Sequence, residues 1–443
     1  MRMQKTALRA DLLDFTGTPA WGAPTLDQVR FRPDHWLLID EQGRIAGAQT
    51  ADPGPDWLRH DHRGRLLMPG FIDTHVHAPQ LDVIASHGTG LLDWLETYTF
   101  PAEQRFADAA VAQQGAARFL DALLAHGTTA AQVFATVHPV SADALFEAAH
   151  ARGMRLITGK VLMDRYAPDG LRDDVPSARR DCEAQIGRWH GQGRNAFAVT
   201  VRFAATSTPE QLAMAGELCR ADPTLYMQTH VAETPDEVRW TGELFPEARS
   251  YLDVYARAHL LHERATLAHG IWLDDTDRTL LRDTGANIAH SPTSNLFLGS
   301  GLFDWTAAQR TGHAVTLATD VGGGTTLSMP RTLAAAYQVQ ALRGTRLSAW
   351  TLLHAATRGA AAALRLDHET GHLGEGALAD VCIWDWASGP VALHRDAVAR
   401  GAVLPLPAQD LHARVFAWLT LADERNLVAT HVAGQPLFTR AQT

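Results

Sequence analysis

Hydrophobic and polar positions follow two different patterns along the chain. Near the N-terminus, short β-like runs are separated by Gly, Pro and Asp, and they cover Ala7–Asp14, His35–Asp40 and Arg44–Gly47. From about Leu66, apolar strand-like runs alternate with helical segments. Such alternation is typical of βα units built on a parallel sheet. The chain is therefore predicted to begin with a small β segment and to continue into an α/β domain.

Eight apolar runs in this second region have the length and composition of buried parallel strands. They are Leu66–Asp73, Thr128–Phe134, Arg155–Leu162, Phe197–Ala204, Leu225–Thr229, Ala265–His269, Asn287–His290 and Ala314–Thr319. Eight such strands suit a closed (β/α)8 barrel. Helix signals lie between them: Thr208, Pro209 and Gln211 supply an N-cap, a first-turn proline and a capping-box glutamine, and a helix over Gln104–His126 is followed by Gly127.

A second group of short strands closes the chain, at Ala379–Trp384, Val428–Gly434 and Pro436–Phe438. Because the two β-rich ends flank the barrel, we expect them to pack into one composite domain. The predicted fold is α/β, with a (β/α)8 TIM-like barrel and a small composite β-sandwich domain formed by the N- and C-terminal segments. The predicted boundaries assign residues 1–65 and 368–443 to the β domain and residues 66–367 to the barrel.

Composition narrows the range of functions. A formal net charge of -10, from 39 Lys and Arg against 49 Asp and Glu, is not that of a protein which binds nucleic acid or an anionic membrane. We expect neither a membrane helix, which needs roughly 20 apolar residues, nor a targeting segment. The sequence therefore predicts a cytoplasmic protein that acts on a small molecule. The cysteines, Cys182, Cys219 and Cys382, form no C-x-x-C motif and are predicted to be buried free thiols.

Polar residues cluster where the predicted barrel strands end, which is where barrel active sites lie. The first run leads into His75-Val76-His77, and the two-residue period of a strand points both imidazoles to the same side. His230 and Asp320 follow the fifth and eighth runs. Three histidines and one aspartate are a chemically sensible ligand set for Zn²⁺. We therefore predict His75, His77, His230 and Asp320 as metal ligands.

Two further residues near these strand ends have the chemistry of catalytic groups. Glu233 lies a few residues beyond a predicted ligand and is placed to move a proton between the attacking water and the substrate. His269, at the end of the sixth run, is predicted to orient that water or to stabilise an oxyanion, and Asp320 is predicted to help hold the water. His290, at the end of the seventh run, is predicted to be structural.

The fourth run bears on the number of metal ions. Binuclear barrels of this architecture bridge two metals with a carboxylated lysine on that strand. The lysines of this chain are Lys5 and Lys160, and Lys160 lies on the third run. The fourth run instead carries Arg202, which keeps its proton and cannot be carboxylated. The sequence therefore favours one metal ion over two.

The motifs together resemble those of the guanine deaminase family within the amidohydrolase superfamily. The H-x-H motif with a downstream aspartate is specific only to the superfamily. His77-Ala78-Pro79-Gln80 and the segment from Trp94-Leu95 to Tyr98-Thr99-Phe100-Pro101-Ala102-Glu103 are more specific to the narrower family. Other matching segments, spread through nearly the whole chain, include His126-Gly127-Thr128-Thr129, His230-Val231-Ala232-Glu233 and Thr319-Asp320-Val321-Gly322-Gly323.

The resemblance implies hydrolytic deamination of guanine to xanthine and ammonia by a homodimer with one zinc ion per subunit. It also implies that Gln80 and Arg202 bind the edge of the purine and that Trp94, Leu95 and Phe203 line the pocket. These residue types suit guanine, which is apolar on its faces and carries donors and acceptors along its edges.

Two alternatives stay open at this point. Related mononuclear enzymes with the same metal ligands act on other aminated or chlorinated rings, namely 8-oxoguanine, adenosine-type or triazine substrates, and only the pocket separates them from guanine deaminases. A catalytically dead barrel, kept as a scaffold or binding module, is the second alternative. Such relatives usually lose ligands, whereas every predicted ligand and Glu233 are present here.

Overall fold

The backbone forms two β-sheets with helices between their strands. The structure is a computed structural model that describes residues 4–88, 90–400 and 407–441. The chain divides into two units. One unit comprises Met1–Ile72, Asp121–Ala130 and Ser328–Thr443, and the other comprises Asp73–Leu120 and Ala131–Leu327. The domain boundaries predicted from the sequence stay a prediction.

The strands and helices are numbered in chain order. The strands are β1 (Thr6–Phe15), β2 (Val29–Ile39), β3 (Ile45–Gln49), β4 (Leu58–Pro69), β5 (Phe71–His77), β6 (Thr128–Phe134), β7 (Arg155–Gly159), β8 (Val161–Leu162), β9 (Asn195–Val201), β10 (Tyr226–Val231), β11 (Ala265–His269), β12 (Asn287–His290), β13 (Val315–Leu317), β14 (Val381–Trp384), β15 (Leu427–Val432) and β16 (Gln435–Thr439). The α-helices are α1 (Leu91–Trp94), α2 (Phe100–Gln104), α3 (Ala109–Ala125), α4 (Pro139–Arg152), α5 (Val175–Trp189), α6 (Pro209–Ala221), α7 (Pro235–Leu244), α8 (Tyr251–Arg257), α9 (Asp275–Thr284), α10 (Pro292–Phe297), α11 (Trp305–Thr311), α12 (Met329–Leu342), α13 (Ala349–Ala355), α14 (Arg358–Ala363), α15 (Pro390–Arg400) and α16 (Ala408–Leu421).

The seven-stranded sheet takes strands from both ends of the chain, in the order β16-β15-β14-β4-β1-β2-β3. The two ends meet where β14 pairs antiparallel with β4. Side chains of this sheet share one apolar core, which includes Leu8, Leu12, Leu37, Val381 and Ile383. Burial of these side chains against one another stabilises the pairing of sequence-distant strands. The composite β domain predicted from the two chain ends is therefore confirmed.

The second sheet is a nearly closed parallel barrel, in the order β13-β12-β11-β10-β9-β7-β6-β5, with the short β8 paired to β9. The first strand, β5, is joined to the segment that follows the last strand, β13, by backbone hydrogen bonds from His77 N to Val321 O (2.8 Å) and from Asp320 N to His75 O (3.0 Å). The predicted (β/α)8 barrel is confirmed. The bounds of β6, β11 and β12 coincide with the predicted runs.

The first predicted barrel strand, Leu66–Asp73, is divided differently in the structure. Its first half belongs to β4 of the seven-stranded sheet, and the barrel strand β5 begins only at Phe71. The chain changes sheet at Gly70, where an added Cβ would lie 2.3 Å from the side chain of Thr129. Because the run is buried and apolar on both sides of this glycine, hydrophobicity alone does not mark the change.

The helix predicted over Gln104–His126 is also shorter than expected. Helix α3 begins at Ala109, because Oδ1 of Asp108 accepts a hydrogen bond from Ala110 N (2.8 Å) and so caps the helix. The predicted start of α6 is confirmed, since Oγ1 of Thr208 accepts from Gln211 N at 3.2 Å. The predicted capping box is wrong, because the backbone N of Thr208 donates to Oδ1 of Asp164 (2.7 Å) and not to the side chain of Gln211.

Two smaller expectations concern the cysteines and the membrane. Cys182, Cys219 and Cys382 are buried and free, as predicted. Across the described ranges, no helix is both long enough and apolar enough to cross a membrane.

Candidate active site

A cavity in the barrel unit brings the predicted site residues together. It is lined by His77, Gln80, Leu91, Trp94, Leu95, Arg202, Phe203, His230, Glu233, Glu237, His269, Leu298, Asp320 and Gly323. The remaining predicted ligand, His75, contacts this group, because its Nε2 lies 3.2 Å from Nε2 of His77. These side chains come from the ends of β5, β9, β10, β11 and β13 and from the segments that follow. Parallel strands deliver them to one end of the barrel, as in other barrels of this type.

The imidazoles and one carboxylate converge closely. Nε2 of His77 lies 3.2 Å from Nε2 of His230, and Oδ1 of Asp320 lies 3.1 Å from Nε2 of His75 and 3.4 Å from Nε2 of His77. The donor atoms of His75, His230, His269 and Asp320 all lie within 4.8 Å of one another, so these four residues could hold a metal ion. Both histidines of the H-x-H motif therefore face Asp320, as the two-residue strand period predicts.

The protonation of these groups suits metal binding. Burial lowers the pKa of His75, lowers that of His77 to about 3 and lowers that of His230 well below its ordinary value. Burial alone would raise the pKa of Asp320, but hydrogen bonds and charge from His75, together with His77 and His269, hold it well below its ordinary value. Neutral imidazoles and an ionised carboxylate are the forms that bind a metal ion.

His269 is held between a catalytic candidate and an amide. Its Nε2 lies 3.3 Å from Oε2 of Glu233 and 3.7 Å from Oδ2 of Asp320, while its Nδ1 lies 2.8 Å from Oδ1 of Asn295. Its backbone is left-handed (φ 71°), as is that of Asp320 (φ 50°). Non-glycine residues are uncommon in this region, and they cluster at functional sites.

Glu233 is a buried carboxyl group with a fixed orientation. Oγ of Ser300 donates to its Oε1 at 2.9 Å, which leaves Oε2 towards His269. Burial, together with the charge of Asp320, raises the pKa of Glu233 to about 8. A carboxyl group with such a pKa can hold and release a proton near neutral pH.

A second buried glutamate, Glu237, was missed by the sequence reasoning. Its Oε2 accepts from the backbone N of Glu233 at 2.9 Å, and its Oε1 accepts from the hydroxyl of Tyr251 at 2.5 Å. Burial, together with the charge of Glu233, raises the pKa of Glu237 to about 7. The signal was present, because Thr234 and Glu237 form the capping box of α7.

The polar side of the cavity contains an ion pair that the sequence did not predict. Nη1 of Arg202 lies 2.7 and 2.8 Å from the two carboxylate oxygens of Glu103, and Nε2 of Gln80 donates to Oε1 of Glu103 at 3.1 Å. Glu103, Arg202 and Gln80 are all buried. A charged residue directly after the apolar Phe100-Pro101-Ala102 was the available signal, because a carboxylate is buried only with a partner.

The walls beside these polar groups are apolar. Trp94, Leu95 and Phe203 are buried and belong to one hydrophobic cluster. Leu95 begins a π-helical turn, Leu95–Thr99, between α1 and α2. Single π turns inside helices are frequent at functional sites. The three residues predicted to line a pocket therefore do line this cavity.

Two residues discussed at the sequence level have other surroundings. The ring of His290 stacks on Phe303, with ring centroids 4.6 Å apart. Lys160 is buried on the segment between β7 and β8, where its ammonium group pairs with Asp173.

Comparison with known proteins gives this site a family. Residues 66–437 match the family described as Amidohydrolase family. The chain belongs to the amidohydrolase family. Within it, the chain is 40% identical over 440 residues to the guanine deaminase of Escherichia coli (strain K12), covering 98% of both chains, and 38% identical over 378 residues to a probable guanine deaminase of Deinococcus radiodurans, covering 83% of this chain and 86% of the other.

Solved structures of amidohydrolases agree with the sequence relatives. The E. coli guanine deaminase structure superposes with a TM-score of 0.92 at 38% identity, covering 99% of this chain and all of the other. The structure of a guanine deaminase from C. acetobutylicum with guanine bound in the active site superposes with a TM-score of 0.85 at 25% identity, covering 98% of this chain and all of the other. The resemblance predicted from the motifs is confirmed. Metal dependence is typical of this family, and His75, His230, His269 and Asp320 could hold an ion.

Proposed function

We propose that this amidohydrolase converts guanine and water to xanthine and ammonia, using one zinc ion per subunit. The observation that supports the proposal most strongly is the cavity itself. It combines histidines and an aspartate that could hold a metal ion, the buried Glu233, and the polar residues Gln80 and Arg202. Similarity to guanine deaminases over nearly the full chain favours guanine over 8-oxoguanine, adenosine-type and triazine rings.

The zinc ion would be held by His75, His77, His230 and Asp320. The donor set fits, because three neutral imidazoles and one carboxylate are ligands that Zn²⁺ prefers. When bound, zinc lowers the pKa of a coordinated water towards ~7, which supplies the nucleophile at neutral pH.

Glu233 carries the proton in this mechanism. It takes a proton from the attacking water and delivers it to the ring nitrogen beside the carbon that bears the amino group. The pKa of about 8 supports this role, because the same group must both accept and donate a proton near neutral pH. His269 and Asp320 orient the water against that carbon. After a further proton transfer, ammonia leaves and the ring carbonyl of xanthine forms.

Recognition of guanine is assigned to Gln80, Arg202 and the apolar residues of the cavity lining. Arg202 donates to the ring carbonyl, and the amide of Gln80 offers a donor and an acceptor to the purine edge. Trp94, Leu95 and Phe203 pack beside the planar ring, whose faces are apolar.

We extend the proposal to the setting of the reaction. The resemblance to guanine deaminases implies a homodimer that takes part in purine breakdown in the cytoplasm. The oligomeric state is testable by light scattering of the purified protein, in which a mass near 48.2 kDa, that of one chain, would contradict the dimer.

The direct test is ultraviolet-monitored conversion of guanine by zinc-loaded protein, with ammonia quantified. Adenine, 8-oxoguanine and a triazine are measured alongside. We expect xanthine and ammonia to form in equal amounts from guanine, with no comparable turnover of the other rings. Turnover of another ring without turnover of guanine would still be consistent with the proposed metal site. It would refute the substrate-binding roles given to Gln80 and Arg202. Absence of both bound zinc and turnover would instead favour a catalytically dead barrel.

A further inference from the structure

Glu103 is fully buried in α2, and both of its side-chain partners line the cavity. Its carboxylate lies against Arg202, which follows β9, and against Gln80, which follows β5. A single carboxylate thus contacts the two polar residues to which the proposed function assigns the purine edge. Because a buried carboxylate requires such partners, all three side chains are restricted together.

The amide of Gln80 has one orientation that satisfies its neighbours. Its Nε2 donates to Glu103 (3.1 Å), and its Oε1 accepts from the backbone N of Gly322 (3.2 Å). A rotation of the amide by 180° would set Oε1 against the carboxylate and Nε2 against a backbone N–H. Both contacts would then be repulsive. In the observed orientation, one Nε2 hydrogen and one Oε1 lone pair remain for a ligand, in a fixed order.

The guanidinium of Arg202 is restricted in the same way. Its Nη1 lies within 2.8 Å of both carboxylate oxygens of Glu103, so this arm of the planar fork is committed to the ion pair. The Nη2 hydrogens remain as donors. The pair also cancels the charge of Arg202, so the cavity does not offer a net cation to its ligand at this side.

We infer that Glu103 is a positioning residue, which holds Gln80 and Arg202 so that the site selects purines with a ring carbonyl and an N–H at the recognised edge over purines with an amino group and a bare ring nitrogen. The inference rests on the proposed function. It gives Glu103 an indirect role in substrate selectivity, through Gln80 and Arg202 and without contact to the substrate. It also explains why a carboxylate is buried beside a pocket for a neutral ring.

The test measures binding of two neutral purines that differ at this edge. Hypoxanthine carries the carbonyl and the N–H, whereas adenine carries the amino group and the bare nitrogen. Dissociation constants of both are measured by isothermal titration calorimetry on zinc-loaded unaltered protein and on Glu103→Gln. The unaltered protein should prefer hypoxanthine, so the ratio of the dissociation constant of adenine to that of hypoxanthine should exceed one. This ratio should fall at least threefold in Glu103→Gln, because Gln80 becomes free to rotate and Arg202 loses its fixed partner.

Two further variants separate positioning from loss of structure. Asp173→Asn removes another largely buried carboxylate, the partner of Lys160 and Gln211, and should leave the ratio unchanged. Glu103→Asp keeps the charge but shortens the side chain, and should lower the ratio less than Glu103→Gln does. If Glu103→Gln does not fold, Glu103→Asp decides, and it should still show a lower ratio than the unaltered protein.

The inference is overturned if the ratio is the same in the folded Glu103 variants as in the unaltered protein, or if Asp173→Asn lowers it equally. Binding requires no turnover, so this outcome is distinct from failure of the proposed function. A protein that leaves guanine intact yet prefers hypoxanthine through Glu103 would refute the reaction and keep the positioning role. If the unaltered protein deaminates guanine but the ratio is unchanged in the Glu103 variants, the proposed reaction is kept and the positioning role of Glu103 is refuted.

Discussion

The backbone carbonyl oxygen of Arg202 lies 2.5 Å from Nδ1 of His230. Because a carbonyl oxygen only accepts, Nδ1 must carry the hydrogen, and the lone pair of the neutral ring is then at Nε2. That atom lies 3.2 Å from Nε2 of His77, on the side of the predicted metal ligands. Arg202 therefore serves two parts of the site, its backbone orienting a predicted ligand and its side chain lining the cavity.

Replacing the proton carrier should separate metal binding from turnover. Glu233→Gln keeps the size of the side chain but cannot transfer a proton. We expect kcat for guanine to fall by about 10²–10⁴-fold with zinc content unchanged. Steady-state kinetics and elemental analysis measure the two quantities, and Glu243→Gln, at an exposed position of α7, is the control. Normal turnover in Glu233→Gln would refute the assignment.

His77, a predicted ligand, and His269, which lies outside the predicted ligand set, should behave differently when replaced. His77 lies within 3.4 Å of donor atoms of His75, His230 and Asp320, whereas Nε2 of His269 approaches Asp320 only to 3.7 Å. We expect His77→Gln to lose most of its zinc, and His269→Gln to keep zinc while kcat falls by about 10²–10³-fold. Elemental analysis after dialysis distinguishes them. The reverse pattern would make His269 the ligand in place of His77.

The amide that holds His269 should matter for rate and not for metal content. Oδ1 of Asn295 lies 2.8 Å from Nδ1 of His269 and so fixes which ring nitrogen carries the hydrogen. Removal of such an orienting partner typically costs about 10–100-fold in activity. We expect Asn295→Ala to show a loss of this size in kcat, with zinc retained. An unchanged kcat would mean that packing alone orients His269.

A buried histidine in the seven-stranded sheet should make stability depend on pH. Burial lowers the pKa of His431 from 6.5 to about 4, and His62 and His60 add to this against a hydrogen bond with Gly434. Above pH 6.5 the imidazole is neutral in both states, and as the pH falls towards 4 only the unfolded chain gains the proton, so the folded state loses stability.

The size of this effect can be measured with one variant. Between pH 7 and pH 5 the loss due to His431 is about 2 kcal/mol. Urea unfolding is therefore measured at pH 7 and at pH 5 for both proteins. Between these two pH values, the free energy of unfolding should fall by about 2 kcal/mol less in His431→Gln than in the unaltered protein. Equal falls in the two proteins would show that His431 does not contribute.

Two helical glycines should respond in opposite directions to alanine. An added Cβ at Gly216 in α6 would lie 1.8 Å from the backbone carbonyl of Ala258, whereas at Gly242 in α7 it would meet nothing within 4 Å. We expect Gly216→Ala to lower the free energy of unfolding by about 1–3 kcal/mol through overpacking. Gly242→Ala should raise it by roughly 0.5–1 kcal/mol through helix propensity. Denaturant unfolding measures both, and a gain in Gly216→Ala would contradict the close packing.

The family resemblance implied Gln80, Arg202 and the apolar lining of the cavity, and Glu237 was not predicted. Sequence patterns predicted the barrel, the composite β domain and the convergence of the strand-end histidines with Asp320. Each of these depends on a local rule. Apolar runs of strand length predict buried parallel strands, a period of two places His75 and His77 on one side, and polar residues directly after strands fall at the active end of a barrel. Parallel packing then brings His230, His269 and Asp320 to the same place without further information.

Which carboxylates are buried, and which groups hold them, depends on how distant segments pack. Glu103 and Arg202 are 99 residues apart in the chain, and Ser300 and Glu233 are 67 residues apart. Contacts between side chains so far apart in the sequence depend on how the helices and strands that carry them pack together. A local sequence pattern does not identify the partner of a side chain. The division between β4 and β5 is of the same kind: the apolar run continues through Gly70, and only the strands that pair on each side of it decide to which sheet each half belongs.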